Sequence, residues 1–276
     1  MNVDYWPLRT AARNYYDAYQ LTTRMSNRCK AAARQAEEGT GTYPIELDQQ
    51  LEVAQAMKDA NGRILARLYR HMAPAAVRQF QVETIGLGEM WLARLIGEVG
   101  DFRVYTEAWW EDVPDIVGET GDLNDDERDD KPRPKRVLAI GDVRTTGVRE
   151  LWAYCGHGDP ELRRRKGQTQ DEALASGNPL AKMIVHQMTE FALRNNGVPD
   201  KNGKERGQTP YYDAYLAARM TAENSHPEWK PGHVYNYAVR KVGKGILKDL
   251  WRVQHGWKPV YGARTEWHPK RQLATV

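Results

Sequence analysis

The stretch from residue 4 to residue 38 constrains the fold more than any other part of this chain. Ala, Leu, Met, Arg, Lys and Gln dominate it, residues that lose little freedom on a helix, and Gly39 and Gly41 stop it. One long helix is expected there. Tyr43-Pro44 opens a second helical segment, in which Ile45, Leu47, Leu51, Ala54, Met57, Ile64, Leu65, Leu68 and Met72 recur mostly at steps of three, four or seven. Two helices so closely connected fold back on each other as an antiparallel hairpin. Residues 1–73 are therefore expected to form a coiled-coil helical hairpin, whose role is packing or self-association as a homo-oligomer.

Helix punctuation continues along the chain. Residues 74 to 100 read as two short helices around a glycine-rich turn. Thr145-Thr146 is an N-cap signal before a run to Tyr154, and Asn178-Pro179 is an N-cap and N1 pair opening a helix that ends near Asn195. Thr209-Pro210 repeats that signal for a helix to about Ala222. His233 to Val253 makes a last helix, stopped by Gly256, and the tail 257–276 reads as irregular. No strand alternation stands out; Val137 to Ile140 is either a brief strand or a return to the core. The expected fold is all-α, with a helix-hairpin-helix domain over 74–256 following the N-terminal hairpin.

Composition narrows the function classes. With 276 residues, 41% of them hydrophobic, the chain can bury a sizeable core. No apolar run approaches the ~20 residues of a membrane span, and the N-terminus lacks the short apolar stretch of a signal peptide. Cys29 and Cys155 lie far apart without metal spacing, so a reducing cytoplasm is the default location. Charge is unevenly spread. From Glu107 to Asp130 there are eleven acidic residues and one arginine, a local −10; with +3 for the whole chain, the remainder carries +13. A basic body suggests a polyanionic partner. The acidic segment, about 104–140, holds Pro114, Pro132 and Pro134 and ends in KPRPKR, which reads as a mobile insertion.

The most specific local signal is VETIGLGEMWLARLIGEVGD, residues 82 to 101. An apolar-Gly-apolar-Gly turn between helices frees successive backbone N–H groups that can grip a phosphate oxygen without reading a base. Ile85, Gly86, Leu87 and Gly88 are the expected DNA contacts, with Leu87 plugging the turn and Arg94 on the following helix. Arg240, Lys241, Lys244 and Lys248 are spaced to share one helical face. Cys155, His157 and Asp159 alternate with glycines, but no second cluster has ligand spacing, so no metal and no cofactor are expected. His186 and His233 read as core or capping residues. Trp109-Trp110 and Tyr211-Tyr212 are capable of stacking on bases, though such pairs in helical proteins mostly build the core.

The same segment resembles the start of the C-terminal domain of insertion-sequence-one-ten family transposases, the RNA-guided DNA recombinases, which opens with a pattern like IPGIGPxTAxxLLAEIGD. Thr84 to Asp101 follows it without a gap, with Ile85 and Glu89 in place of its two prolines. Three further blocks resemble the family in order: VRELWAYCG from Val148 to Gly156, SGNPLAKM from Ser176 to Met183, and PGHVYNYAVRK from Pro231 to Lys241. The likeness covers about residues 5 to 255 and implies binding of DNA, or of structured RNA with DNA, in a mobile element of bacterial or phage origin. Two departures bear on chemistry. The family's RNase-H-like domain with its four metal-binding acids has no counterpart in these residues. Its serine nucleophile falls on Arg163-Arg164-Arg165-Lys166-Gly167, and Gly156 to Ala175 contains no serine; Ser176 is the nearest alternative. Arginine is no nucleophile, whereas the RRRK run is suited to neutralising phosphates. The expectation is nucleic-acid binding without catalysis. A transposase subunit whose acidic domain is supplied in trans, and an oligomeric interaction scaffold, are the alternatives.

Overall fold

A computed structural model describes residues 5–84, 86–112, 136–145, 147–158, 177–195 and 210–261. Among these residues the fold is all-α in its core, built from eight helices: α1 Trp6–Glu37, α2 Glu46–Met72, α3 Ala75–Glu83, α4 Glu89–Val99, α5 Val148–Tyr154, α6 Pro179–Arg194, α7 Pro210–Ser225 and α8 Pro231–Gln254. The helix limits expected from caps and glycines fall within a few residues of these. No helix among the described residues is long and apolar enough to cross a membrane.

The long N-terminal helices run antiparallel. Thr22 Oγ1 donates to the Ala54 carbonyl at 3.0 Å, and nearer the open end Asn61 donates to the Asn14 carbonyl at 3.4 Å, so rising numbers on α1 meet falling numbers on α2. Of the expected apolar stripe, Ala54 and Leu65 are buried, as is Tyr69, while Ile45, Met57 and Ile64 are exposed. The hairpin therefore buries a narrower seam than the heptad-like spacing suggested. Its base is not a separate unit: Leu8, Leu65 and Tyr69 belong to the same apolar core as Leu92 and Ile96 of α4, Ile184 of α6 and Ile246 of α8. The boundary read at residues 73 and 74 is thus crossed by one continuous core. Polar anchoring supports the α1–α4 contact. The buried Glu98 carboxylate accepts two bonds from Arg13 at 3.0 and 3.2 Å, and Arg9 donates to the Gly97 and Glu98 carbonyls at 3.0 and 2.9 Å.

Two expectations need correcting. Where no strand alternation stood out, Val104–Asp112 (β1) pairs antiparallel with Arg136–Thr145 (β2), from Val104↔Thr145 through Trp109↔Ala139 to Asp112↔Arg136, with a bulge between Thr106 and Ala108. Both segments are rich in β-branched or aromatic residues, which favour a pleated backbone. Acidic residues interleaved among them, and a partner more than twenty residues away, hide the pattern in sequence. Thr145 consequently ends a strand instead of capping a helix, and Gly147 stands at the N-cap of α5. The inner part of the acidic insertion, 113–135, lies outside the described residues.

The start of the tail is also more ordered in its bonding than its proline and glycine content suggested. Asp249 of α8 is fully buried; its carboxylate accepts from the Val260 amide at 2.6 Å, the Tyr261 amide at 2.9 Å and the Tyr211 hydroxyl at 2.9 Å. One buried carboxylate thereby ties the segment after α8 to both α7 and α8. A buried carboxylate without such donors would carry the desolvation cost of its unsatisfied oxygens.

Candidate nucleic-acid interface

The glycine turn joins α3 to α4 as expected, but it faces inward. Gly86 has φ +81°, and a Cβ there would lie 2.6 Å from the Ala192 Cα and 2.9 Å from its carbonyl oxygen, so the turn presses backbone to backbone on α6. Gly88 sits under the Trp91 and Phe191 rings, whose centroids are 6.4 Å apart. Leu87 is buried and plugs the turn, its carbonyl accepting from the Gln81 amide at 3.2 Å. The first turn of α4 already carries an acid: Glu89 is bound bidentately by Arg70 at 2.7 and 3.0 Å. A carboxylate there satisfies the positive helix end and repels a phosphate. Arg94 is likewise removed from any surface role. It is 5% exposed, its guanidinium 4.8 Å from the Trp91 ring and 5.6 Å from that of Tyr16, and burial lowers its proton affinity. These residues, read as DNA contacts, are packing residues in the fold. Ile85 lies outside the described residues.

The cationic face of α8 is present and is larger than its cations alone implied. Successive steps of three or four residues place His233, Tyr237, Arg240, Lys241, Lys244 and Lys248 within one arc of the helix. The opposite arc buries Val234, Ala238, Val242 and Leu250. Lys241 Nζ stands 5.3 Å over the Tyr237 ring and Lys244 Nζ 5.0 Å over that of Trp152 on α5. Before α8 the row continues in aromatics. Trp229 stacks on His226 at 4.0 Å, nearly parallel, and meets Tyr237 edge-on at 5.8 Å and His233 at 6.5 Å. Extending the Lys241 spacing backwards in steps of four, to Tyr237, His233 and Trp229, would have exposed this row in the sequence.

Beside that face, three separated segments converge. Asn178 caps α6, its Oδ1 accepting from the Leu180 and Ala181 amides at 2.9 and 3.1 Å, as its pairing with Pro179 suggested. Its backbone amide donates to the Tyr154 carbonyl at 2.7 Å and its side chain to the Tyr154 hydroxyl at 2.9 Å, which in turn reaches the Glu98 carbonyl at 3.0 Å. Gly177, at φ +92°, makes the approach possible, because a Cβ there would strike the Ala153 carbonyl. Trp152 Nε1 donates to the Lys244 carbonyl at 3.0 Å and Arg240 to the Gly158 carbonyl at 3.4 Å, which seats α8 across the end of α5.

The joint borders a cavity of about 430 Å³ that is partly open to solvent. Pro179, Met183 and Val239 give it an apolar wall; Lys182, His186 and Arg240 supply positive or titratable groups, and His157 closes it. His157 is 5% exposed, and neither ring nitrogen has a hydrogen-bond partner. Burial pushes its proton affinity down to about 3, reinforced by Arg240, Lys182, Lys244 and His186, so the imidazole is neutral at physiological pH. Cys155 beside it is fully buried, and burial raises its thiol pKa far above neutrality. Among the described residues no three His, Cys, Asp or Glu side chains are grouped to hold a metal.

No family model matches the chain, nor does any curated protein or solved structure. Geometry alone therefore separates the candidate residues. Arg240, Lys241 and Lys244 are brought together, whereas Arg163, Arg164, Arg165, Lys166 and Ser176 lie outside the described residues. His186 and His233, read as core or capping residues, are exposed; His186 Nε2 lies 3.7 Å from Glu190. Tyr211 is buried core, as aromatic pairs were expected to be. Lys182 and the cavity-facing role of His157 were missed, since nothing local in the sequence links α5, α6 and α8.

Proposed function

We propose that the protein binds nucleic acid, duplex DNA or structured RNA, along the cationic and aromatic face of α8. The observation that carries this reading is the single-arc alignment of His233, Tyr237, Arg240, Lys241, Lys244 and Lys248, continued by the Trp229 stack. Cations at that spacing track phosphates without reading sequence, and partly exposed aromatic rings offer π-faces to unpaired bases. The resemblance to the C-terminal half of insertion-sequence-one-ten transposases supports the reading. The blocks that carry it meet in the fold: Tyr154 donates to the Glu98 carbonyl and accepts from Asn178, and Val239 and Arg240 line the same cavity as Pro179, Lys182 and Met183. The family's nucleophile position falls on a run of arginines without a hydroxyl, so the proposed activity is binding and not strand transfer. The test is affinity for duplex DNA, single strands and RNA across salt concentration. Affinity that falls steeply with salt is the expected result; no binding to any of the three at low salt would overturn the reading.

We also propose that the N-terminal hairpin self-associates. Val53, Met57 and Ile64 share one face of α2 at steps of four and seven and are 61%, 47% and 50% exposed. An apolar row of that kind is left for a second copy. Sedimentation should show a mass that rises with concentration and falls in Val53→Asp/Met57→Asp. A monomer mass at every concentration would remove the proposal.

A further inference from the structure

The cavity between α5, α6 and α8 has features that the strand-tracking face does not need. Its volume, about 430 Å³, is in the range of small-molecule sites, which span ~300–1,000 Å³. A buried polar side chain without a partner is rare and costs free energy in the empty fold, and here both nitrogens of His157 lack one. A neutral imidazole offers one donor and one acceptor. Its complement is a group that both donates and accepts, such as a sugar hydroxyl or a base edge. A bare metal ion would meet Lys182 and Arg240 as like charges. A bare inorganic anion would leave the wall of Pro179, Met183 and Val239 unused.

We propose that this cavity binds a nucleoside monophosphate unit, with the phosphate at Lys182 and Arg240, the sugar or base on Met183 and Val239, and the His157 ring, whose nitrogens are shielded in the empty fold, turned to bond a polar edge. The unit has two possible sources with the same chemistry: a free nucleotide, or the phosphorylated end of a nucleic-acid strand. The second source rests on the nucleic-acid reading above; the first does not.

Calorimetric titration of the full chain with a deoxynucleoside 5′-monophosphate, the matching nucleoside and inorganic phosphate tests the proposal. The monophosphate should bind at least tenfold more tightly than either fragment. His157→Phe and Arg240→Gln should each weaken it tenfold or more, while Lys30→Gln/Arg34→Gln, exposed on α1 and outside both the cavity and the α8 face, should leave it unchanged. Thermal melting checks that each variant is folded, and Arg240→Gln, at a partly buried position, keeps the test decisive if His157→Phe is not. Inorganic phosphate binding as tightly as the monophosphate would overturn the proposal, as would a folded His157→Phe with undiminished affinity or no monophosphate binding at all. A second arm separates the sources. A short duplex carrying terminal phosphates that binds tenfold tighter than its hydroxyl-ended counterpart establishes the strand end, and equal affinity with retained monophosphate binding establishes the free nucleotide. Monophosphate binding without duplex binding defeats the α8 reading alone; salt-dependent duplex binding without monophosphate binding defeats the cavity alone.

Discussion

Replacing Lys241, Lys244 and Lys248 together by glutamine should weaken duplex DNA binding on the order of a hundredfold at low salt and flatten the salt dependence by about three units of slope. Each lysine that neutralises a phosphate releases condensed counterions, and each one lost removes about one unit from the slope of log affinity against log salt. All three project from one arc of α8 whose opposite arc is buried, so the substitutions leave the core untouched and helicity should be unchanged. The loss should be nearly the same for any duplex sequence, because a point charge on a phosphate carries no base information. Tyr237→Ala separates the aromatic contribution. It should affect single strands more than duplex, since only unpaired bases expose faces for stacking. Titration of binding by salt for wild type and variant is the deciding measurement. An unchanged slope would show that α8 does not face the backbone, and the DNA reading would lose its only described surface.

Gly86→Ala should lower stability by about 2–5 kcal/mol, the sum of a left-handed backbone forced on a residue with a Cβ and a steric insertion into a packed contact. At φ +81° the new methyl carbon would meet Ala192 backbone atoms at 2.6 and 2.9 Å. Because those neighbours are backbone, trimming the side chain at 192 offers no relief. Gly88→Ala is the matched control. Its φ is −71° and the nearest neighbour of a Cβ is a ring carbon of Trp91 at 3.4 Å, an ordinary contact, so its cost should be within about 1 kcal/mol. Chemical denaturation reads both. If the turn gripped phosphate, both substitutions would weaken DNA binding; packing instead predicts that Gly88→Ala binds DNA as the wild type does. A tenfold loss of DNA affinity in folded Gly88→Ala would return the turn to the interface.

Particular residues show how far the chain could be read before its folding was known. Gly39, Gly41, Pro44, Asn178, Pro179, Pro210 and Gly256 punctuate the helices through local backbone rules, and the helices form where those rules place them. The cationic face of α8 follows from spacing within one helix and is present for the same reason. Of the ribbon only the brief strand at Val137 to Ile140, one of two readings, was legible, and it lies within β2; the pairing was not. Pairing Val104–Asp112 with Arg136–Thr145 is a non-local choice, made by strands whose composition is interrupted by acids. Nor was the orientation of the glycine turn. Gly-Leu-Gly between two helices is compatible with facing a phosphate or facing another helix, and only the arrival of α6 at Gly86 decides between them.

By itself, then, the sequence determined the all-α class, most helix limits, and the charged arc of α8, because each depends on residues within one or two turns of one another. Tertiary structure alone decided that Arg94 is caged by Trp91 and Tyr16, that Asp249 gathers donors from α7 and the segment after α8, and that His157 meets Lys182 and Arg240 around a cavity. The physical reason is desolvation. Whether a charged or polar group is a surface contact, a buried anchor or part of a site depends on which distant helices exclude water from it, and no local pattern records that.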